Sequence, residues 1–396
     1  MYRRKAPLLI FLVFTLILTG CWSRKELNEI SPVIGLGVDK IGDHYVVSAQ
    51  VVDPSESTPG GGVGRVPAVT YRMEAKSIEI AIRKLSTVAP RRLYFSHLRT
   101  FVIGESVAKE GIAPMLDIVS RNPEMRTDFY VILTKDTTAN NVLSIVTPLE
   151  KVPAAFIYTM LKYSNKYWSP FVMVKLDDLD NDLASRGKHP VLPAIEIKGE
   201  QELAEQKKNV ENISVKNYLQ FTRLGVFHGD KLIGYLDENE SSGYKFIVNK
   251  ITETAVPIDC SEKQTDAVEL KTVETTTNTE VIKEKPMIHI DVKAEANAAE
   301  LQCERNLLDL KSLEQLEKQA EQTVERQIKQ AVQAAQKKYK IDIFGFGRDI
   351  HQRNPRLWKK VKRNWDENFS TMPVDVHVSV KIRNFGKMNK STPSNP

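Results

Sequence analysis

Cysteine is scarce: Cys21, Cys260 and Cys303 are the only three in 396 residues. So few exclude a small disulfide-stapled scaffold, and no Cys-x-x-Cys pair is present to hold a structural zinc. The seven histidines (His44, His97, His189, His228, His289, His351 and His377) are scattered, and no His-Glu-x-x-His occurs. Phosphate-binding loops are missing as well. Gly35-Leu36-Gly37 has Lys40 where a dinucleotide fingerprint needs glycine, and Gly60 to Gly64 lacks a following Lys-Ser/Thr. There is no Gly-x-Ser-x-Gly elbow. Ser-x-x-Lys at Ser106 and at Ser185 lacks the companion motifs of penicillin-binding proteins and reads as solvent-facing residues. These absences leave no expected catalytic residue, metal or cofactor.

Charge of one sign is also lacking. Against 50 acidic residues stand 56 Lys and Arg, three of them in the first five residues, so the rest of the chain carries an excess of only +3. That balance excludes nucleic acid as the expected partner. The acidic group Asp177, Asp178, Asp180 and Asp182 lacks the glycine and glutamate of a calcium loop and reads as a solvated turn or helix entry.

Long hydrophobic runs are missing too. Residues 8–18 are apolar except for Thr15, and as a helix they span about 17 Å, short of a hydrocarbon core of about 30 Å. With Arg3, Arg4 and Lys5 ahead, this is a secretory signal. It ends in Leu18-Thr19-Gly20-Cys21, which resembles a bacterial lipobox. Residues 1–20 are therefore read as the leader and Cys21 as the lipid attachment point, carrying an S-diacylglyceryl group and open to N-acylation. Two acyl chains suffice for stable anchoring, on the outer face of the cell membrane.

Behind the anchor the pattern predicts an α+β chain of mixed α/β domains, its second half an antiparallel sheet with long packing helices. Val33 to Val38 and Tyr45 to Val52 read as a hairpin around Gly42, followed by an exposed loop with three prolines and four glycines over 53–67. Strands near 98–103 and 129–134 alternate with helical segments at 77–85, 107–119, 139–146 and 154–163. The expected division is a 21–197 N-terminal part, a charged linker at 198–216, a 217–386 C-terminal domain and a disordered tail at 387–396. The second half begins with a hairpin about Gly229. Segments 244–251 and 267–276 look extended, and Ile288, Ile290, Val292, Ala294 and Ala296 alternate with polar residues, as do Val374 to Ile382. Between them, 301–340 carries a narrow apolar stripe and reads as a helix lying across the sheet. For Cys260 and Cys303, a disulfide and two buried free thiols are both open. Phe344, Phe346, Trp358 and Trp365 read most simply as core, with a partner surface as the sharper alternative.

Several segments together resemble the Ger(x)C family, the C-subunit lipoproteins of bacterial spore germinant receptors. They are Cys21-Trp22-Ser23-Arg24-Lys25-Glu26-Leu27-Asn28, Val33-Ile34-Gly35-Leu36-Gly37-Val38-Asp39 and Ser96-His97-Leu98-Arg99-Thr100-Phe101-Val102-Ile103-Gly104-Glu105. Asp117 and Arg121 follow, then Asp342-Ile343-Phe344-Gly345-Phe346-Gly347, Trp358, Trp365 and the strand from Val374 to Ile382. The resemblance implies a non-enzymatic subunit of a nutrient-sensing complex with two integral-membrane partners in the spore inner membrane. It also implies a fold of several mixed α/β domains. The alternative from a different class is a substrate-binding lipoprotein of an envelope transporter.

Overall fold

The computed structural model describes residues 29–53, 66–168, 170–282 and 285–385. Cys21, the leader and the tail 387–396 lie outside them.

The expected first hairpin is β1 (Ile30–Ile41) and β2 (His44–Val52), antiparallel with Val38 opposite Val47 and turned at Gly42. β3 (Ala68–Ala75) pairs with β2 at the sheet edge. The chain continues through α1 (Ile78–Lys84), β4 (Arg92–Tyr94), β5 (Thr100–Ile103), α2 (Glu105–Glu110) and α3 (Ala113–Arg121). Next come β6 (Tyr130–Thr134), α4 (Ala139–Ser144), α5 (Pro153–Tyr167), α6 (Leu176–Ala184) and β7 (Val191–Lys198). Central strands β1, β5 and β6 run parallel and are buried on both faces, which is why they read as near-continuous apolar runs. On one face, Val142, Leu143, Ile157 and Leu161 of α4 and α5 cover Val102 and Ile132. On the other, α1, α2, α3 and α6 pack over Phe101, Ile103 and Val131.

Two of the recognised segments meet in this sheet. A Cβ on Gly35 would lie 2.7 Å from Ala154 Cβ and 2.9 Å from Leu143 Cδ2, so glycine there lets α4 and α5 approach β1. Asp39, at the end of the same segment, accepts from Ala139 N at 2.8 Å and Asn140 N at 3.0 Å, capping α4. Burial raises its carboxyl above the usual range, while those two backbone donors pull it down. Gly104 packs on Asp39, where a Cβ would fall 2.2 Å from Oδ1.

The expected linker 198–216 is not a break between sheets. It holds α7 (Gln201–Ala204) and a 3-10 turn, and it joins β7 to β8 (Tyr218–His228), which pair antiparallel in one sheet. β9 (Lys231–Leu236) completes that sheet, whose order is β3-β2-β1-β5-β6-β7-β8-β9 with β4 on β1. The charged composition marks an exposed excursion, and the strands on either side of it are buried.

A second sheet has the order β10 (Thr254–Asp259), β11 (Thr265–Ile282), β12 (Lys285–Glu300) and β13 (Val374–Asn384). The first three are antiparallel. β13 joins β12 in parallel, with Ile288 opposite Val374, after a helical crossover. That crossover is α9 (Leu310–Gln333), a π-helical turn (Ala334–Tyr339), α10 (Phe346–Arg353), α11 (Pro355–Val361) and α12 (Trp365–Thr371). α9 lies across the sheet as its stripe predicts, burying Leu316, Ala320, Val324, Ile328 and Ala331. Each large aliphatic among them contributes about 1.5–3 kcal/mol by leaving water. Its Glu317 and Glu321 accept from Ile382 N at 2.8 Å and Val380 N at 3.0 Å, closing part of the free edge of β13.

One segment differs from expectation. Residues 244–251 read as extended, but α8 (Glu238–Ile247) occupies the start of it. Asp237 and Glu240 form a reciprocal capping box there, at 2.8 and 2.9 Å. Ser241, Ser242 and Gly243 are poor helix formers, but they let α8 pack tightly on α9, where a Cβ on Gly243 would sit 2.0 Å from Gln327 O.

Candidate functional site

The segment from Asp342 to Gly347 forms a junction between the two halves of the chain. Asp342 is fully buried, and its carboxylate accepts from Phe344 N at 2.9 Å and from Gly345 N and Gly347 N at 2.8 Å. The bonds from Gly345 and Gly347 occupy N–H groups at the start of α10 that have no acceptor within the helix. Burial pushes the Asp342 carboxyl up to about 6, against the downward pull of the three backbone donors. Gly345 caps α10 with φ at +90°, a left-handed conformation that side chains other than Asn or Asp rarely adopt.

The loop after α6 packs against this turn backbone to backbone. His189 N donates to Asp342 O at 2.8 Å, and Arg348 N to Gly187 O at 3.2 Å. Gly187 has φ at +92°, and a Cβ on it would meet Trp358 at 2.7 Å and Gly347 Cα at 2.8 Å. Asp182, from the acidic group expected to be solvated, bridges the junction. It is 2.6 Å from Lys188 Nζ and 3.1 Å from Arg348 Nη1.

Phe344, Phe346, Trp358 and Trp365 form the core of the junction and are 6%, 3%, 3% and 5% exposed. Ring centroids lie 5.2 Å apart for Phe344–Phe346 and 5.4 Å for Trp358–Trp365, and Phe344 stacks on Tyr244 of α8. The four are core, as their simplest reading had it, and the alternative of a partner surface is corrected by their burial. Helical spacing showed a shared face, and that face points inward.

Beside the junction, His189 and His228 each place Nε2 3.7 Å from a carboxylate oxygen of Asp366. The trio has the composition of a metal site. However, His189 Nδ1 accepts from Gly229 N at 3.0 Å, which leaves the ring proton of the neutral imidazole on Nε2 and removes that nitrogen as a ligand. The cluster is therefore a polar contact between β7, β8 and α12.

Cys260 follows β10 and Cys303 follows β12, with Cα atoms 6.4 Å apart, within the span of a disulfide. Buried Asp266 accepts from Cys303 N at 3.0 Å and Gln302 N at 2.9 Å and pairs with Arg305. Of the other histidines, His97 is exposed and edge-on to Tyr94. His289 lies between Glu280 and Asp375, at 3.0 and 3.4 Å. The hollow around His289 is lined by Thr279, Glu280, Asp291, Asp375 and His377 and holds no serine or cysteine among its described residues. A larger hollow of about 850 Å³ lies near Glu29, and two of its arginines are paired with carboxylates: Arg83 with Glu79 and Arg92 with Glu124. Arg121 and Asp117, both in the recognised pattern, form an exposed ion pair at 2.8 Å that raises the arginine and lowers the acid.

One feature was missed from sequence. Arg353, Arg356, Lys359, Lys360, Lys362 and Arg363 are all exposed on and around α11, with no acidic residue between them. Reading net charge over the whole chain hid this local run, which a short charge window shows.

Comparison with known proteins matches the chain in two blocks. Residues 23–197 match the family model described as spore germination protein N-terminal domain. Residues 222–386 match spore germination B3/GerAC like, C-terminal. The second block begins inside β8, so the two matched segments share the larger sheet. Spore germination protein KC of Bacillus subtilis (strain 168) is 31% identical over 401 residues, covering 98% of each chain. Spore germination protein B3 of the same organism is 25% identical, over 95% of this chain and 96% of its own. The crystal structure of the GerBC protein superposes with a TM-score of 0.54 at 20% identity, covering 88% of this chain and 97% of that one, and so shares the fold.

Proposed function

Because the chain belongs to the Ger(x)C family of spore germination proteins, we propose that it is a lipid-anchored, non-enzymatic subunit of a nutrient germinant receptor. In this reading Cys21 carries the lipid and holds the folded part at the spore inner membrane. There it assembles with two integral-membrane subunits. The observation that carries the proposal is the match to spore germination protein KC over 98% of both chains. The junction around Asp342 is in keeping with it, since residues of the recognised pattern there join the two halves into one folded body, with His189 N bonded to Asp342 O and Arg348 N to Gly187 O. Anchoring raises the effective concentration of that body beside its partners. A transporter's substrate-binding lipoprotein would present two like lobes around a cleft. Here the two sheets differ in size and topology.

Replacing Cys21→Ala tests the proposal. The protein should leave the membrane fraction, and nutrient-triggered germination should fall. An unchanged membrane fraction with normal germination would sink it.

A further inference from the structure

We infer that the basic surface of α11 and the turn after it is a second membrane contact, an electrostatic one that seats on anionic phospholipid. The inference rests on the Cys21 anchor proposed above and adds an orientation to it. Six cations occur within residues 353–363 and no acid does. Arg353 pairs with Asp349 at 3.1 Å. Among the described residues, Arg356, Lys359, Lys362 and Arg363 have no carboxylate partner. Leu357 and Trp358 are buried beneath them, so the helix is fixed with its cations outward.

Position argues for a bilayer as the occupant. Strands β1, β5, β6 and β7 run parallel, so Glu29 ahead of β1 and His189 ahead of β7 lie beyond the same end of the sheet. His228, at the end of antiparallel β8, is at that end too. Asp366 sits 3.7 Å from both histidines, directly after the basic turn. At about 4.8 Å per strand, β1 and β7 are about 14 Å apart. The eight residues from Cys21 to Glu29 reach at most about 27 Å. A membrane that holds Cys21 is therefore within reach of the basic surface. With the lipid at one point and the cations at another, this end of the sheet faces the bilayer and the Ile41 and Leu236 end faces away.

The test is co-sedimentation with vesicles of the unlipidated chain from residue 22, which contains every described residue. Vesicles of phosphatidylcholine alone are compared with vesicles that also contain phosphatidylglycerol, at low and high salt. The chain should bind only the anionic vesicles and release in high salt. Each cation near an anionic surface is worth about fivefold in partition, so Arg356→Gln, Lys359→Gln, Lys362→Gln and Arg363→Gln together should lower binding by at least about 100-fold. An unchanged thermal midpoint confirms that this variant folds, and the salt dependence of the unaltered chain provides a second readout if it does not. Equal binding to both vesicle types, no binding to either, or undiminished binding by the folded variant would overturn the inference. If the variant keeps its vesicle binding and instead loses a membrane protein partner, the surface belongs to an acidic protein. Because Cys21 carries no lipid in this assay, its failure leaves the anchor standing. An absent lipid on Cys21 in cells would leave this result standing.

Discussion

Replacing Asp342→Asn removes one carboxylate oxygen from the turn that joins the halves. Oδ1 accepts from Phe344 N and Gly345 N, and an amide oxygen there can keep both bonds. Oδ2 accepts from Gly347 N, and an amide nitrogen in its place sets two donors against each other. A buried donor without an acceptor costs about 1–3 kcal/mol, so the variant should be less stable by that amount at neutral pH. The native carboxyl has its folded pKa raised from 3.8 to about 6. Its contribution to stability is therefore full below pH 3.8 and is lost as pH rises through 6, at up to about 1.4 kcal/mol per pH unit. Asparagine does not titrate, so the gap between the two proteins should widen as pH falls from 6 toward 4, by up to about 3 kcal/mol. Urea unfolding followed by tryptophan fluorescence reports on the site directly, since Trp358 and Trp365 lie in the same cluster. Stabilities within about 0.5 kcal/mol of each other at every pH would refute the assignment of Asp342 as the keystone of the turn.

Three further outcomes are expected. Lys245 is buried on α8 and donates to Asn165 O at 2.8 Å, and burial lowers its pKa from 10.5 to about 7. The unfolded chain then binds the extra proton between these values, so stability should rise with pH from 7 to 10.5, and Lys245→Met should flatten that rise in paired denaturation curves. Gly187→Ala forces a Cβ onto Trp358 and the Gly347 backbone at a positive φ and should cost about 2–4 kcal/mol in the same assay. Cys260 and Cys303 should resist thiol reagents until reduced. Opening that bridge, with a separation of 43 residues, should lower stability by about 4 kcal/mol on the chain-entropy account, while immediate labelling of both would show free thiols.

Much of the N-terminal sheet was legible because its signals are local. The β1–β2 hairpin alternates and turns at a glycine, and β5 and β6 are short apolar runs. The stripe of α9 likewise announced a helix across a sheet. What was hidden depends on long-range packing. Ser241 to Gly243 argue against helix locally, and only the approach of Gln327 explains them, although the Asp237/Glu240 capping box was there to be read. The charged excursion before β8 separates the two family matches, but the pairing of β7 with β8 across it was hidden because composition reports exposure and says nothing of strand pairing. Trp358 and Trp365 share a face in sequence, but whether that face meets a partner or the chain's own Gly187 is decided by a residue far away along the chain. Gly345, Asp342 and Gly187 could be noticed as a glycine and acid pattern, but their meeting could not.

The most direct test is affinity recovery of the tagged, full-length protein from solubilised spore membranes, with the mass of its N-terminal peptide measured in the same sample. The account predicts two integral-membrane proteins recovered with it in fixed ratio, and a diacylglyceryl modification on Cys21. Recovery of the protein alone, with an unmodified Cys21, would contradict it.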